Sequence, residues 1–316
     1  MSESPAAVAE AEAERRRPTR RAALSDRARA ERRLAWLLCA PAALVMLVVT
    51  AYPIGYAIYL SLERYDLRFP ADTEFVGLAN YWTVLTSADL WWRAFAVTVL
   101  ITVVSVAIEL ILGMAVALVM HRALFGRGLI RTSVLIPYGI VTVVAAFSWQ
   151  YAWTPDVGYL ANLLPAGSAP LTSTWPAIGI IILAEVWKTT PFMALLLLAG
   201  LSLVPGDLLN AAKVDGATAW QRFTRVTLPI MKPAILVALL FRTLDAFRIF
   251  DNIFILTNGA ANTRSVSILD YDQLFTAFNL GVGNAMSILI VISVAIIAVI
   301  YIKAFGTAAP GGEVGR

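Results

Sequence analysis

The sequence predicts an all-α membrane protein with six transmembrane helices and both termini in the cytoplasm. Three observations predict this class: 59% of the 316 residues are hydrophobic, only 15% are charged, and six apolar stretches are long enough to span a bilayer. A soluble domain carries about 25% charged residues, so this chain has too little charge for a water-facing surface of its size. Lipid must therefore cover much of its exterior.

Each apolar stretch reaches the roughly 17–25 residues that a helix needs to cross the hydrocarbon core. The stretches run over residues 34–62, 94–120, 133–153, 176–204, 234–256 and 285–302. The first stretch is longer than the apolar region of a signal peptide, and bulky Leu37 and Leu38 precede Cys39 where a lipoprotein signal carries small residues. We therefore predict an uncleaved first helix that tilts or extends beyond the bilayer.

Lysine and arginine in short loops set the predicted orientation. The basic N-terminal tail, the connection between spans two and three, and the connection between spans four and five lie on one side if both termini are cytoplasmic. In the loops of the opposite side, carboxylates outnumber the cations. We predict a basic cytoplasmic tail over 1–33, a membrane domain over 34–303 and a cytoplasmic tail over 304–316.

The chain lacks the residue patterns of several other function classes. A single cysteine excludes an internal disulfide, and a single histidine, His121, argues against a His/Cys metal site and fits an interfacial position. There is no GxxxxGK[ST] loop for ATP, and no Ser/His, paired catalytic Asp or HExxH pattern lies in the spans. The net charge of +4 is concentrated in the tail and a few loops, which does not indicate nucleic-acid binding.

The connection between spans four and five, residues 205–233, is long for a helical bundle. Asp207 can cap a short helix that is rich in small residues, Asp215 and Gly216 form a turn signal, and a second helical piece follows. Small residues on a short exposed helix suit docking into a groove of another protein. An amphipathic loop that only lies on the membrane fits the physical pattern about equally well.

This loop resembles the EAA motif of permeases of ABC importers, in which EAA is followed by three residues, Gly, nine residues, Ile, one residue and Leu-Pro. Two positions depart from it, because Asn210 replaces glutamate and Val226 replaces isoleucine. In this family the loop docks into a cleft of the ATP-binding subunit. The residues that the resemblance implies for coupling are Asn210, Ala211, Ala212, Asp215, Gly216, Ala217, Phe223, Val226, Leu228 and Pro229.

The resemblance extends over about residues 34–302 and is strongest to sugar permeases of the maltose-importer type. The stretches AEVWKTTPFMALLLLAGL, LLFRTLDAFRIFDNIFILTNG and SVSILDYDQLF are similar to those of trehalose-importing members. This implies the type I importer fold, a second permease, a dimer of ATP-binding subunits that holds ATP and Mg, and an extracytoplasmic sugar-binding lipoprotein. It also implies trehalose as the substrate, while another oligosaccharide or glycerol phosphate remains open. A channel would not need the coupling loop.

Seven ionisable residues lie within the apolar spans, where each costs roughly 2.5–3.5 kcal/mol near a helix centre on insertion scales. Helix four presents four side chains on one face, and helix five carries charges that step by three residues. A sugar pathway, with Phe192 or Phe247 stacking on the sugar, and a structural ion-pair network both fit this pattern. For Glu109 we expect a structural partner. The candidate pathway residues are Glu185, Lys188, Thr189, Phe192, Arg242, Asp245, Arg248 and Asp251.

Overall fold

The computed structural model describes residues 26–86, 88–122, 127–165 and 167–306. In these ranges five helices are long and apolar enough to cross a membrane, and a bent pair of helices supplies a sixth span if it is counted as one. The all-α prediction with six spans is therefore confirmed, with the third span supplied by the bent pair. The predicted tails, 1–33 and 304–316, lie mostly outside the described residues.

The first span lies in a compact unit as far as Ala57. It consists of α1 (Asp26–Met46), a π-helical turn (Leu47–Ala51) and α2 (Tyr52–Ser61), which continue one another as the candidate span Glu31–Ser61. Residues 31–56 are exposed along all sides of the helix. A helix that is apolar all round and exposed all round is the arrangement expected of a span that faces lipid.

A small hairpin opens the second unit and was not predicted from the sequence. Strands β1 (Glu63–Arg64) and β2 (Glu74–Phe75) pair antiparallel, and α3 (Ala79–Thr86) follows. Asn80 of α3 donates hydrogen bonds of 2.8 Å to the carbonyl oxygens of Ser61 and Glu63, which fixes the hairpin on the helix. The strands are only two residues long, too short to give the alternating apolar pattern by which strands are recognised.

The second predicted span lies within α4 (Ala88–Arg122), but the third is broken. Helix α5 (Arg127–Gly139) and helix α6 (Thr142–Ala152) meet at an angle of 90°. The break follows Pro137 and Gly139. Proline has no backbone N–H to donate, and glycine lowers the stability of a helix. The expectation of one continuous helix over 133–153 was therefore wrong.

The fourth span is α7 (Thr174–Ser202), and it packs along α4 over most of its length. The two helices approach closely at Gly113, where an added Cβ would lie 2.8 Å from Cγ of Met193. Small residues allow such approach between membrane helices, whose association depends on packing rather than on a hydrophobic driving force. This contact anchors a core in which Met193 and Leu197 are fully buried.

The loop after α7 contains α8 (Gly206–Val214) and α9 (Ala219–Arg222), and a π-helical turn leads into α10 (Leu228–Ala246). We predicted that the fifth span would continue to residue 256. Instead, α10 ends at Ala246 and α11 (Asp251–Leu256) begins after a bend. The predicted charge ladder is therefore wrong as a feature of one helix, since Arg248 lies between two helices and Asp251 starts the second.

The last elements are α12 (Val266–Tyr271), a π-helical turn (Asp272–Thr276) and the sixth span, α13 (Leu280–Gly306). Trp91, Phe247, Leu269 and Met286 join these elements to α4 and to the end of α10 in one apolar cluster. Ser287 of α13 donates a hydrogen bond of 2.7 Å to Asp270 of α12. These contacts assemble residues 58–306 around α4 and α7.

Candidate functional site

The centre of the bundle is the guanidinium of Arg242, which α10 places between three carboxylates. Its Nε lies 2.5 Å from Glu109 Oε2, and its Nη2 lies 3.0 Å from Glu109 Oε1 and 2.8 Å from Glu185 Oε1. Nη1 donates to Asp245 Oδ2 at 3.0 Å. The side chains of Arg242 and Glu109 are both 0% exposed. The planar fork of arginine allows this multiple pairing, and a lysine could not reproduce it.

Two neutral side chains complete this network. The Thr189 hydroxyl lies 2.8 Å from Glu109 Oε1 and 2.7 Å from the Glu185 carbonyl oxygen, so its single proton can serve only one of them at a time. The Asn252 amide donates to Glu185 Oε2. The network therefore connects α4, α7, α10 and α11, and Asn252 ties the far side of the break in span five to the middle of α7.

The broken backbones are stabilised by side chains. Lys188 of α7 donates a hydrogen bond of 2.7 Å to the Ile140 carbonyl oxygen at the bend of span three. Ser265 donates one of 3.0 Å to the Ile249 carbonyl oxygen at the bend of span five. An unpaired carbonyl at membrane depth is costly, so irregular backbone persists there only where such partners are supplied. Each bend therefore has a side chain that donates a hydrogen bond to one of its carbonyl oxygens.

A polar cavity of about 560 Å³ lies beside the network, near the middle of α7. Lys188 Nζ stands 5.9 Å from the ring centroid of Tyr138, which stacks on Phe192 at 5.4 Å. Phe250 closes another part of the wall. The lining residues are Tyr138, Ile140, Val141, Thr142, Glu185, Lys188, Thr189, Asp245, Arg248, Ile249, Phe250, Asp251 and Asn252.

At the other end of α7, the loop over residues 205–233 forms a separate surface. Helix α8 ends at a turn in which Gly216 has φ +77°, a region that a residue with a Cβ resists. Thr218 and Gln221 then form a capping box at the start of α9, with hydrogen bonds of 3.3 and 2.8 Å. Asp207 is not a cap, because it lies in the first turn of α8 and Pro205 takes the cap position.

The residues of the predicted coupling motif occupy two environments in this loop. Asn210 and Ala211 are exposed on α8, as is Asp215 at its end. Phe223 is partly buried and packs on Trp220 with ring centroids 5.8 Å apart. The motif thus combines an exposed surface on α8 with the partly buried Phe223, which packs against the apolar core cluster of Met193 and Leu197. The order of the motif along the loop is Asn210, Ala211, Ala212, Asp215, Gly216, Ala217, Phe223, Val226, Leu228 and Pro229.

Residues 109–306, which include both the cavity and the loop, match the family described as "Binding-protein-dependent transport system inner membrane component". The chain belongs to this family. As an inner membrane component, it is a multi-pass protein of the cell membrane and a transport subunit. The match begins at Glu109 and so covers the whole charged network and the loop.

Relatives of this inner membrane component cover nearly its full length. The trehalose transport system permease protein SugA of Mycobacterium tuberculosis is 68% identical over 284 residues, which are 90% of this chain and 92% of that protein. The trehalose/maltose transport system permease protein MalF of Thermococcus litoralis is 40% identical, over 86% of this chain and 94% of its own. The predicted resemblance to maltose-type permeases of ABC importers is confirmed.

A solved structure shows the same fold. A chain of a bacterial ABC transporter that imports the acidic polysaccharide alginate superposes with a TM-score of 0.77 at 22% identity. The alignment covers 90% of this inner membrane component and all of the solved chain. At this level of identity the comparison establishes the fold, and the predicted type I importer architecture is thereby confirmed.

Six of the eight predicted pathway residues line the cavity, and the other two lie next to residues that line it. The six are Glu185, Lys188, Thr189, Asp245, Arg248 and Asp251, and their role in a sugar pathway stays a prediction. Arg242 does not line the cavity, because three carboxylates enclose its side chain. Phe192 stands behind Tyr138 and does not line it either.

Sequence reasoning missed Tyr138, Thr142, Phe250 and Asn252, which also line the cavity. All four lie beside the two bends and reach the cavity only because the helices break there. The Pro137-x-Gly139 pattern was the available signal for the first bend. Glu109 is a partner of Arg242, in keeping with the structural role expected for it.

Proposed function

We propose that this chain is a permease subunit of an ATP-driven sugar importer and that its substrate is trehalose. The observation that carries the proposal is the polar cavity of about 560 Å³ at the middle of the spans, in a chain 68% identical to a trehalose permease. Ligand cavities typically measure about 300–1,000 Å³, so the space suits a small sugar.

The lining offers the groups that a neutral disaccharide needs. Sugar hydroxyls both donate and accept hydrogen bonds, and the cavity presents carboxylates from Glu185, Asp245 and Asp251 beside cations from Lys188 and Arg248. The rings of Tyr138 and Phe250 supply apolar faces for the C–H side of a pyranose. The cavity thus offers hydrogen-bonding groups for the sugar hydroxyls and aromatic rings for its C–H face. The chain itself performs no covalent chemistry.

Glycerol phosphate is the rival substrate, because a permease named for that solute in Agrobacterium fabrum is 32% identical over 83% of this chain. A phosphate dianion requires a cationic site. The cavity walls carry three carboxylates against two cations when all are ionised. This balance favours an uncharged sugar.

Energy would enter through the loop over residues 205–233. The exposed face of α8, with Asn210, Ala211 and Asp215, would dock into an ATP-binding subunit, and a dimer of such subunits would hold ATP and Mg. A second permease subunit and an extracytoplasmic sugar-binding lipoprotein would complete the importer in the bilayer. This assembly requires both termini of the chain to be cytoplasmic, on the same side as the loop.

The decisive experiment is uptake of labelled trehalose into vesicles that contain the assembled importer and its binding protein. We expect ATP-dependent uptake that unlabelled trehalose suppresses and glycerol phosphate does not. Uptake without ATP would indicate a channel, and hydrolysis of ATP by the isolated chain would contradict a subunit without its own ATPase site. Suppression by glycerol phosphate alone would transfer the assignment to that solute.

The role of the cavity is tested separately with Glu185→Gln and Lys188→Met. If these residues line the pathway, uptake falls while membrane abundance, assembly and basal ATPase activity persist. Lys303→Met is a matched control, because Lys303 is exposed at the end of α13 and is not among the residues that line the cavity. Uptake that only follows abundance in both cavity variants would leave the network as a purely structural one.

A further inference from the structure

A second large cavity lies at the end of the bundle away from the loop over residues 205–233. It measures about 710 Å³ and is formed by the first turns of α4 and α7 together with the segment between α11 and α12. We call it the outer cavity. Its lining residues are Leu90, Arg93, Ala94, Ala96, Val97, Leu100, Thr174, Trp175, Ile178, Gly259, Ala261, Asn262 and Arg264.

The outer cavity has two chemically different parts. Arg93 and Arg264 supply positive charge, and the lining residues that the structure describes include no carboxylate. Below them, Val97, Leu100 and Ile178 line the cavity along the membrane-spanning parts of α4 and α7. A site with cations at one end and aliphatic side chains at the other matches an amphiphile that carries a negative headgroup.

The depth of the site fits the boundary between headgroups and acyl chains. The candidate spans begin at Leu90 in α4 and at Thr174 in α7, so the α4 wall, which bears Arg93, and the α7 wall both start at the edge of the apolar region. Trp175, which is 73% exposed, stands at the same edge. Tryptophan is enriched at that level of the bilayer.

Arg264 is held in place by an unusual backbone. Asn258, Ala261 and Asn262 have φ between +51° and +56°, a left-handed region that asparagine tolerates but that costs energy for Ala261. Arg264 Nε is buried and has no hydrogen-bond acceptor among the described residues, although Asp272 Oδ2 lies 3.4 Å away and offsets part of its charge. The segment thus directs a partly satisfied guanidinium to the cavity.

We propose that the outer cavity binds an anionic glycerophospholipid, with its phosphate between Arg93 and Arg264 and one acyl chain along Val97, Leu100 and Ile178. A snorkelling arginine would need no cavity, since it would extend along the helix surface to water. Here one of the two cations comes from a loop, and the two enclose a volume with an apolar floor. A bound lipid would fasten α4 to α7 at the entrance to the bundle.

The test uses the full-length chain, delipidated in detergent and titrated with phosphatidylglycerol or phosphatidylcholine while bound lipid is counted by native mass spectrometry. We expect one molecule of phosphatidylglycerol to bind in preference to phosphatidylcholine. Each arginine near a lipid surface contributes roughly a fivefold gain in affinity, so R93Q/R264Q should weaken phosphatidylglycerol binding about 25-fold. Inorganic phosphate should not compete at equal concentration, because it lacks the acyl chain.

Two further variants serve as controls, one for the loss of an arginine elsewhere and one for the failure of R93Q/R264Q to fold. Arg64→Gln removes an exposed arginine from the hairpin and should leave lipid binding unchanged. Ala96→Trp fills the cavity from an exposed position while it retains both arginines, so it should abolish the selective binding even if R93Q/R264Q fails to fold. The proposal would be overturned if the protein bound phosphatidylglycerol and phosphatidylcholine equally. It would also be overturned if inorganic phosphate displaced phosphatidylglycerol at equal concentration, or if Ala96→Trp still bound phosphatidylglycerol fully.

Discussion

At the scale of single residues, Arg242 has the most demanding environment in the described chain. Its guanidinium is fully buried and contacts Glu109, Glu185 and Asp245. A buried ion pair adds little compared with apolar residues that pack well, but the removal of one partner leaves the other charged in a medium of low dielectric constant. Arg242 is therefore a residue on which folding depends.

We expect Arg242→Met to destabilise the protein by about 3–5 kcal/mol, the usual cost of breaking a buried pair, because Glu109 and Glu185 would lose their cation. Membrane abundance and the thermal midpoint of the purified chain measure this effect. Asp245→Asn is the control within the same network, since the Asp245 side chain is 71% exposed and water can replace its partner. Normal abundance of Arg242→Met would contradict a structural role.

Asp270 gives the protein a pH-dependent stability. Burial raises the pKa of its carboxyl to about 6, against the opposing effect of the Ser287 hydrogen bond, and Oδ1 has no partner among the described residues. The folded state therefore favours the protonated form. The contribution of Asp270 to the free energy of unfolding is largest below the unfolded pKa of 3.8 and is lost as pH rises through about 6.

Thermal midpoints should therefore decline as pH rises from about 4 to about 6 in the unmodified protein, through loss of the Asp270 proton. Asp270→Asn should flatten this dependence, since an amide mimics the protonated carboxyl at every pH. Ser287→Ala should extend the decline to higher pH, because it removes the hydrogen bond that lowers the pKa of Asp270. An identical pH dependence in Asp270→Asn would show that another group is responsible.

At the scale of elements, the turn between α8 and α9 depends on one backbone angle. Gly216 has φ +77°, and no atom lies within 4 Å of the place where its Cβ would be. A side chain there would be strained by about 1–2 kcal/mol through the backbone alone, without any clash. The turn sets the direction in which α8 presents Asn210 and Ala211.

Gly216→Ala should therefore reduce ATP-dependent uptake and weaken association with the ATP-binding subunit, while membrane insertion persists. Gly206→Ala is the matched control: that glycine begins α8, its added Cβ would also meet open space, and its φ is not positive. Uptake and co-purification of the ATP-binding subunit measure the effect. Equal behaviour of the two alanine variants would rule out the turn as the coupling element.

The sequence predicted where the spanning helices lie, but it did not predict that spans three and five are broken. Apolar length alone located α4, α7 and α13, because a spanning helix must be long and apolar whatever surrounds it. The bends of spans three and five depend on Lys188 and Ser265, which stabilise carbonyl oxygens that are far away in sequence. Such partners appear only after folding, so the cavity residues beside the bends were missed.

The candidate coupling loop was better predicted than the cavity, since its signals are local. The Asp215–Gly216 turn and the short helix before it need no distant partner, and both occur as expected. Which charged residues of span five face the buried network and which line the cavity could be assigned only from the tertiary structure. Spacing by three residues could not reveal that Arg242 faces a buried network while Arg248 lines the cavity.

At the scale of the whole molecule, the orientation of the chain in the bilayer is open to a direct test. Single cysteines at positions 2 and 314 should resist an impermeant thiol reagent in intact cells, and one near Asp156 should react, with Cys39 replaced in all three. The cation bias of the loops is the physical reason. Lysed cells provide the control for accessibility. Labelling of either terminus in intact cells would reverse the topology.

The two bent spans are joined to each other as well as to α7. Gln150 of α6 donates a hydrogen bond of 2.5 Å to the Ile255 carbonyl oxygen at the end of α11, and the two short helices pack together. Short helices with few contacts open more readily than long ones, and joined segments open as one cooperative unit. Amide hydrogens of α6 and α11 should therefore exchange with a common rate, and Gln150→Leu should separate that rate into two.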